Sequence, residues 1–290
     1  MSQTASAERS TGQLDHLSDS QFRRLAKFIE DYAGIKMPAT KKTMLEGRLR
    51  KRVAAAGCAN LADYCNYLFE RNGLELETLS LIDVVTTNKT EFFREPEHFR
   101  YLAEKAVPEL APWKRPGRGA VLKVWSAASS TGAEAYTLAM VLTDLAARTA
   151  PFEISILGTD ISTRVLRTAA LGIYPEAMAT PIPAPMRQRY LLRSKTPGQG
   201  LVRVVPELRR LVQFQRLNLM DDSYPMGRDF DVIFVRNVLI YFDKPTQNGV
   251  LERLCDHLVP GGYLVLGHSE SLAGQSVPLR PVAPTVFRRL

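Results

Sequence analysis

The chain has 290 residues, 45% of them hydrophobic, enough for one large globular domain or two moderate ones. Its 38 Lys and Arg against 30 Asp and Glu give a net charge of +8, which points to an acidic partner, nucleic acid or protein, without choosing between them. Three cysteines without C-x-x-C spacing (Cys58, Cys65, Cys255) argue against a disulfide framework, and four scattered histidines against a metal centre, so reduced thiols and no metal are expected.

Residues 1 to about 14 are expected to be a disordered tail, polar from Ser2 to Gln13. No apolar run approaches the ~18 residues of a membrane span and no leader-like stretch opens the chain, so a soluble, cytoplasmic protein is expected. Ser18 and Gln21 have capping-box spacing, and Leu17 can staple onto Phe22, which starts a helix with Phe22, Leu25, Ile29 and Tyr32 as its buried stripe and Gly34 as its stop. A second helix follows Pro38, with Leu45, Leu49 and Val53 as its apolar line. Beside that line Lys41, Arg48 and Arg52 share one side, either as a solvated face or as a docking strip for an acidic partner. Gly57, Asn60 and Gly73 punctuate two further helices at about 60–71 and 74–86, giving a helical domain over 15–106. The segment Asn88-Lys-Thr-Glu-Phe-Phe-Arg-Glu95 is unusual for a linker, although Phe92 and Phe93 would also suit packing of one domain on another. The Pro- and Gly-rich run 107–119 reads as the interdomain linker.

From Val121 the hydrophobic period changes. Val121, Val124 and Trp125 make a buried strand, Ser126 to Gly132 a loop of small residues, and Ala135, Leu138, Ala139 and Leu142 one face of a helix. This is half of a βαβ unit, with room for a ligand at the helix N-terminus. Neither the G-x-G-x-x-G of a dinucleotide site nor the Lys-Ser/Thr of a P-loop is present. One glycine, several hydroxyls and Glu134 suit a cationic ligand without phosphate, such as S-adenosylmethionine (AdoMet); a plain turn with a glutamate complementing the helix dipole has the same pattern. A second strand, Ile154 to Leu157, ends at Asp160, placed to accept from two ribose hydroxyls. Strands at Leu201–Val205 and Leu211–Leu217 point to a small antiparallel insertion over about 178–217, within a domain covering 120–290. Asp231 to Val235 is a buried strand ending at Arg236-Asn237. Leu251, Leu254, Leu258 and Val259 mark a helix before the strand Tyr263 to Leu266. Ser126–Gly132, Asp160, Asn218 and Asn237 thus all stand at carboxyl ends of expected strands, the ligand-binding edge of a doubly wound sheet.

Taken together, NKTEFFRE (88–95), VWSAASSTGAEAY (124–136), GTD (158–160), RLNL (216–219) and FVRNVLIYFD (234–243) resemble the CheR family of AdoMet-dependent methyltransferases, which esterify glutamates of bacterial chemoreceptors. The resemblance covers the chain from about residue 18. It implies an α/β fold: a Rossmann-like AdoMet methyltransferase sheet, an N-terminal all-helical domain and a small antiparallel β-subdomain inserted in the C-terminal domain. It also implies that Asn88, Thr90, Arg94, Glu134, Asp160, Asn218, Leu219, Arg236 and Asn237 contact AdoMet, with Asp160 at the ribose and Asn218-Leu219 near the adenine, and that Arg94 and Tyr241 flank the departing methyl. The strip Lys41, Arg48, Arg52 resembles the family's docking surface for receptor methylation helices, and the β-subdomain one that grips a receptor C-terminal peptide in some members. One departure stands out: where the family reads S-T-G-E-E-P-Y, this chain has Ser130-Thr-Gly-Ala-Glu-Ala-Tyr136, which leaves Glu134 as the expected contact to the methionine amine.

An acceptor glutamate is already ionised at neutral pH, so the chemistry requires alignment and a water-poor site rather than a general base. Phe92 and Phe93 would supply apolar walls and Arg94 a fork for the carboxylate. Two alternatives compete: a nucleic-acid methyltransferase, disfavoured because neither a D/N-P-P-Y loop nor an active-site-loop cysteine is present, and a non-enzymatic AdoMet-binding scaffold, favoured only by Ala133 and Ala135.

Overall fold

The computed structural model describes residues 15–110, 121–149, 152–196 and 198–290. The expected tail (1–14), most of the expected linker (111–119) and Pro197, in a turn expected at 196–200, lie outside the described residues. The chain forms two compact units, Met1–Ile29 with Met37–Val85, and Glu30–Lys36 with Thr86–Leu290.

The first unit is helical. Helix α1 (Asp19–Ala33), whose residues from Glu30 onward count with the second unit, opens with the expected capping box: the Ser18 N–H donates to Gln21 Oε1 at 2.9 Å and the Gln21 N–H to Ser18 Oγ at 3.2 Å. A 3-10 turn at Ala39–Lys41 leads into α2 (Lys42–Ala55), followed by α3 (Leu61–Glu70), capped by Asn60, and α4 (Leu74–Val85). Leu25, Leu45, Leu49, Leu61, Tyr64, Leu81 and Ile82 are fully buried, as the 3.6-residue stripes require. Cys58 lies between α2 and α3.

The second unit begins with extended chain from Thr86 and a continuous helical run: α5 (Pro96–Tyr101), a π-helical stretch Leu102–Ala106, and α6 (Val107–Leu110). The helical domain was expected to reach 106 and the linker to start at 107. Instead Phe92, Phe99, Leu102, Ala106, Val107 and Leu110 are buried in one cluster with Leu122, Val124 and Phe234, so their apolar face belongs to the sheet's core. Pro108, one of the residues that suggest a linker, sits where the π-helical stretch ends, and that wider turn accommodates a residue lacking an N–H.

The sheet is built from β1 (Val121–Ala127), α7 (Ala133–Arg148), β2 (Glu153–Asp160), α8 (Thr163–Leu171), β3 (Ile173–Pro175), α9 (Ala184–Tyr190), β4 (Leu191–Arg193), β5 (Leu201–Val204), α10 (Pro206–Arg209), β6 (Val212–Arg216), β7 (Phe230–Val235), α11 (Lys244–His257), β8 (Leu258–Leu266), β9 (Leu279–Ala283) and β10 (Val286–Arg289). Seven strands run in the order β6-β2-β1-β7-β8-β10-β9. The β1–β2, β2–β6, β1–β7 and β7–β8 pairs are parallel, and β10 is antiparallel to β8 and β9. Every residue of β7 is buried, as in a central parallel strand covered on both faces. The chain winds outward from β1 to β6 and returns to β7 on β1's other side, so the topological switch point lies between β1 and β7.

The small antiparallel sheet, β3-β5-β4, starts at Ile173, earlier than the expected 178. The strand expected near 211–217 does not belong to it: β6 pairs parallel with β2 and packs Phe214 against Gly158, where a Cβ would meet the ring at 2.7 Å. Leu258 and Val259 open β8 instead of closing α11, and the β9–β10 hairpin, whose register shifts between Val286 and Phe287, was not anticipated.

Candidate active site

The β1–α7 loop is held by the end of β2 and by a turn of its own backbone. The Ser129 N–H donates to Thr159 O at 2.7 Å, the Ser130 N–H to Asp160 Oδ2 at 2.9 Å, and the Gly132 N–H to Ser129 O at 3.0 Å. Asp160 Oδ1 also accepts from the Ser162 N–H at 2.9 Å, so this buried carboxylate fixes the loop it faces. Gly132 has φ +86° and a Cβ there would meet that of Ala169 at 2.8 Å, so geometry and space both demand glycine. Within this loop Ser129 Oγ and Thr131 Oγ1 are buried without a hydrogen-bond partner in the protein. Such atoms cost ~1–3 kcal/mol each unless a ligand satisfies them.

Arg236, at the end of β7 and 6% exposed, is the hub that joins three segments. Its Nη1 donates to Glu134 Oε2 at 2.8 Å, and its Nη2 to Glu95 Oε2 at 2.9 Å and to Arg94 O. Glu134 Oε1 in turn accepts from the Ser126 hydroxyl at 2.7 Å. The guanidinium lies 5.4 Å from the Phe99 ring centre and 5.9 Å from that of Phe234. Burial alone would raise the Glu95 carboxyl, but the hydrogen bond and charge of Arg236 outweigh it and hold it below its usual value. Arg236 Nε has no partner in the protein.

Asn237 follows in the left-handed region, with its amide Nδ2 donating to Glu95 Oε1 at 3.2 Å. Its loop is clamped by buried Glu270, whose carboxylate accepts four backbone N–H groups: Gly267 at 2.7 Å, Leu239 at 2.8 Å, and Asn237 and Val238 each at 2.9 Å. Burial pushes the Glu270 carboxyl up, and the four donors oppose that shift. Among the described residues seven non-glycine positions have positive φ, and five of them, Phe93, Glu95, Ala128, Ser130 and Asn237, stand in these loops. Each such conformation costs ~1–3 kcal/mol and persists only where its surroundings over-determine it, which marks a functional site.

The expected AdoMet residues are therefore largely brought together. Asn88 O accepts from the Ser130 hydroxyl at 3.1 Å, and Thr90 is partly buried in the same segment. Arg94 donates to Lys89 O at 3.2 Å and is partly exposed, as is Tyr241 in the 3-10 turn Leu239–Tyr241. Asn218 is differently occupied: its Nδ2 donates to Tyr32 O at 2.6 Å and its Oδ1 accepts from the Met220 N–H at 3.1 Å, while Leu219 is buried beside it. Phe92 is fully buried against Tyr174, so it is core and not an apolar wall; Phe93 packs on Phe99 and its N–H donates to Thr137 Oγ1. Lys41, Arg48 and Arg52 belong to the helical unit. There Arg52 pairs in a fork with buried Glu77, at 2.6 and 3.0 Å, and Arg48 donates to Val85 O. From sequence, Ser126 stands out only as part of the small-residue loop and Glu95 only as part of the 88–95 segment, without their roles around Arg236, and Glu270 is not singled out. Glu95 is the last residue of the quoted 88–95 motif, whereas Glu270 had no signal because its partners are backbone groups.

Small residues at the helix entry, unsatisfied hydroxyls and two carboxylates around one arginine form a cradle that fits a cationic nucleoside. Residues 88–287 match the family profile described as CheR methyltransferase, SAM binding domain, and residues 20–86 that of its all-alpha domain. The chain is 43% identical to the chemotaxis protein methyltransferase of Klebsiella aerogenes, covering 89% of this chain and 85% of that one. It is 41% identical to that of Escherichia coli (89% and 86%) and 36% identical to chemotaxis protein methyltransferase 2 of Pseudomonas aeruginosa (94% of each). The chain belongs to the CheR methyltransferase family, with AdoMet as its cofactor.

Proposed function

We propose that the protein methylates glutamate side chains of chemoreceptors, giving methyl esters. The observation that carries this reading is the Arg236 hub, which ties the 88–95 segment, the β1–α7 loop and the end of β7 into one frame. AdoMet, when bound, supplies an electrophilic methyl group on a sulfonium. Glu134, Asp160, Arg236 and Asn237, with Asn88, Thr90, Asn218 and Leu219, are the proposed AdoMet contacts. Arg94 would orient the acceptor carboxylate through its fork, and Tyr241 would face the methyl from the loop that Glu270 clamps. The acceptor is an anion at neutral pH, so no chain residue has to remove a proton.

Methylation helices of the receptor would dock on the basic second helix. Lys41, Arg48 and Arg52 are the proposed contacts, with Arg52 held by Glu77 and the exposed Arg50 and Lys51 adding charge on the same helix. On the small sheet, β4 is an edge strand beside a groove of about 340 Å³ that includes Glu176, Arg187, Leu191 and Arg193. A receptor C-terminal peptide would add there as a strand. No helix among the described residues is long and apolar enough to cross a membrane, and a cytoplasmic place beside the receptors is part of the proposal.

The test is transfer of label from methyl-labelled AdoMet to chemoreceptor-containing membranes, followed by base treatment. Base-labile label released as methanol supports glutamate esters. Label that resists base, or appears on nucleic acid, would overturn the acceptor.

A further inference from the structure

The sequence separates Glu95 from His268 by 173 residues, and folding brings them together with His98. Glu95 precedes α5, His98 lies within it, and His268 follows β8; one ligand atom of each lies within 4.8 Å of the others. His98 Nδ1 faces Glu95 Oε2 at 3.5 Å. Two ligands of a tetrahedral ion with bonds of ~2.1 Å stand ~3.4 Å apart, so this pair already has the required separation.

The hydrogen bonds around His98 suit the tautomer protonated on Nε2. The Thr285 hydroxyl donates to Pro284 O at 2.8 Å, so its oxygen accepts the proton of His98 Nε2, 2.7 Å away. Nδ1 is then left with a bare lone pair. It is buried, in a residue only 3% exposed, and has no hydrogen-bond partner in the protein. A lone pair and a carboxylate oxygen facing each other without a proton between them repel, and a cation at that position would satisfy both.

The local charge permits one. Glu95 and Glu134 carry two negative charges and Arg236 one positive, so the cluster of these three and neutral His98 has an excess of one negative charge. Glu97, 4.0 Å from His268 Nε2, adds to it. The exposed His268 ring gives the third ligand and the route of entry from solvent.

We propose that Glu95, His98 and His268 form a binding site for a divalent cation of the zinc class. Two imidazoles and a carboxylate suit Zn²⁺, Ni²⁺ or Cu²⁺ rather than Mg²⁺ or Ca²⁺. The ion would draw Glu95 Oε2 away from Arg236 and use the same excess negative charge as cationic AdoMet. Ion and AdoMet therefore oppose each other, and by linkage the opposition is reciprocal.

Calorimetry of the whole chain with zinc chloride tests the site, without reference to methyl transfer. The expected result is one ion per chain, bound at least ~10-fold more weakly by His268→Ala. Co²⁺ in place of Zn²⁺ should give the d–d bands of a four-coordinate site without a thiolate charge-transfer band. Absence of saturable binding, equal affinity in His268→Ala, or a thiolate band, which would place the ion on Cys58, overturns the site. A second titration, AdoMet into the zinc-loaded protein, should show a several-fold higher Kd; an unchanged Kd overturns the antagonism.

Discussion

Arg236 Nη1 donates to Glu134 Oε2 at 2.8 Å, joining the end of β7 to the first turn of α7 across the switch point of the sheet. The same guanidinium reaches Glu95 and the Arg94 carbonyl, so its planar fork serves three partners at once. A lysine keeps the charge but not the fork. Arg236→Lys is expected to fold and to lose ~1–3 kcal/mol of AdoMet affinity by calorimetry. Affinity equal to the wild type would mean that the frame does not depend on Arg236.

Asp160 has two tasks in the proposed reading: its carboxylate holds the Ser130 and Ser162 amides and stands where the ribose would lie. Asp160→Ala is expected to weaken AdoMet by ~1.5–3 kcal/mol through lost charged hydrogen bonds. Unchanged affinity in the same titration removes Asp160 from the nucleoside.

How much of this was legible beforehand follows from the range of each interaction. The β1–α7 loop, Asp160 and Arg236-Asn237 were readable because a buried strand and a loop of small or polar residues leave a local pattern. The α1 capping box was readable for the same reason. The placement of 86–110 with the sheet was not, because the apolar stripe of Phe99, Leu102 and Ala106 fits either core equally well until Phe234 is placed against Phe99. Nor was the return of β6 to the main sheet, which rests on the meeting of Phe214 with Gly158. Arg52 looked like a surface charge because its partner Glu77 lies 25 residues away.

Glu270 accepts four backbone N–H groups from two loops, and its two oxygens are fully used. Glu270→Gln replaces one oxygen by an NH₂ that faces donors, leaving two buried amides unpaired. The expected stability loss is ~2–4 kcal/mol in urea unfolding, with AdoMet bound more weakly because the Arg236–Tyr241 loop loses its anchor. A variant of native stability and affinity would show that the clamp is dispensable.

Arg94 separates binding from turnover. Its side chain is partly exposed and donates to a carbonyl at 3.2 Å, so its removal leaves the core intact. Arg94→Ala is expected to keep the wild-type melting temperature and to lower kcat on receptor membranes by ~10²-fold or more, since misalignment of the acceptor is costly. Normal methylation by the folded variant would end the proposed role of Arg94.

Within the helical unit, Glu46 is 2% exposed and accepts from the Leu17 N–H at 3.0 Å and from His16 Nδ1 at 2.9 Å. Burial alone would raise its carboxyl; the His16 and Leu17 hydrogen bonds outweigh that and hold it below its usual value. Between the folded and unfolded pKa values the unfolded chain binds the extra proton, so this carboxylate stabilises the fold above about pH 4.5 and the contribution fades as pH falls toward the lower folded value. Acid unfolding followed by helical circular dichroism should accordingly begin at a higher pH in His16→Ala, which removes one of the two donors and leaves the buried carboxyl easier to protonate. An acid transition that does not move would show that the His16 bond contributes nothing to holding Glu46 ionised.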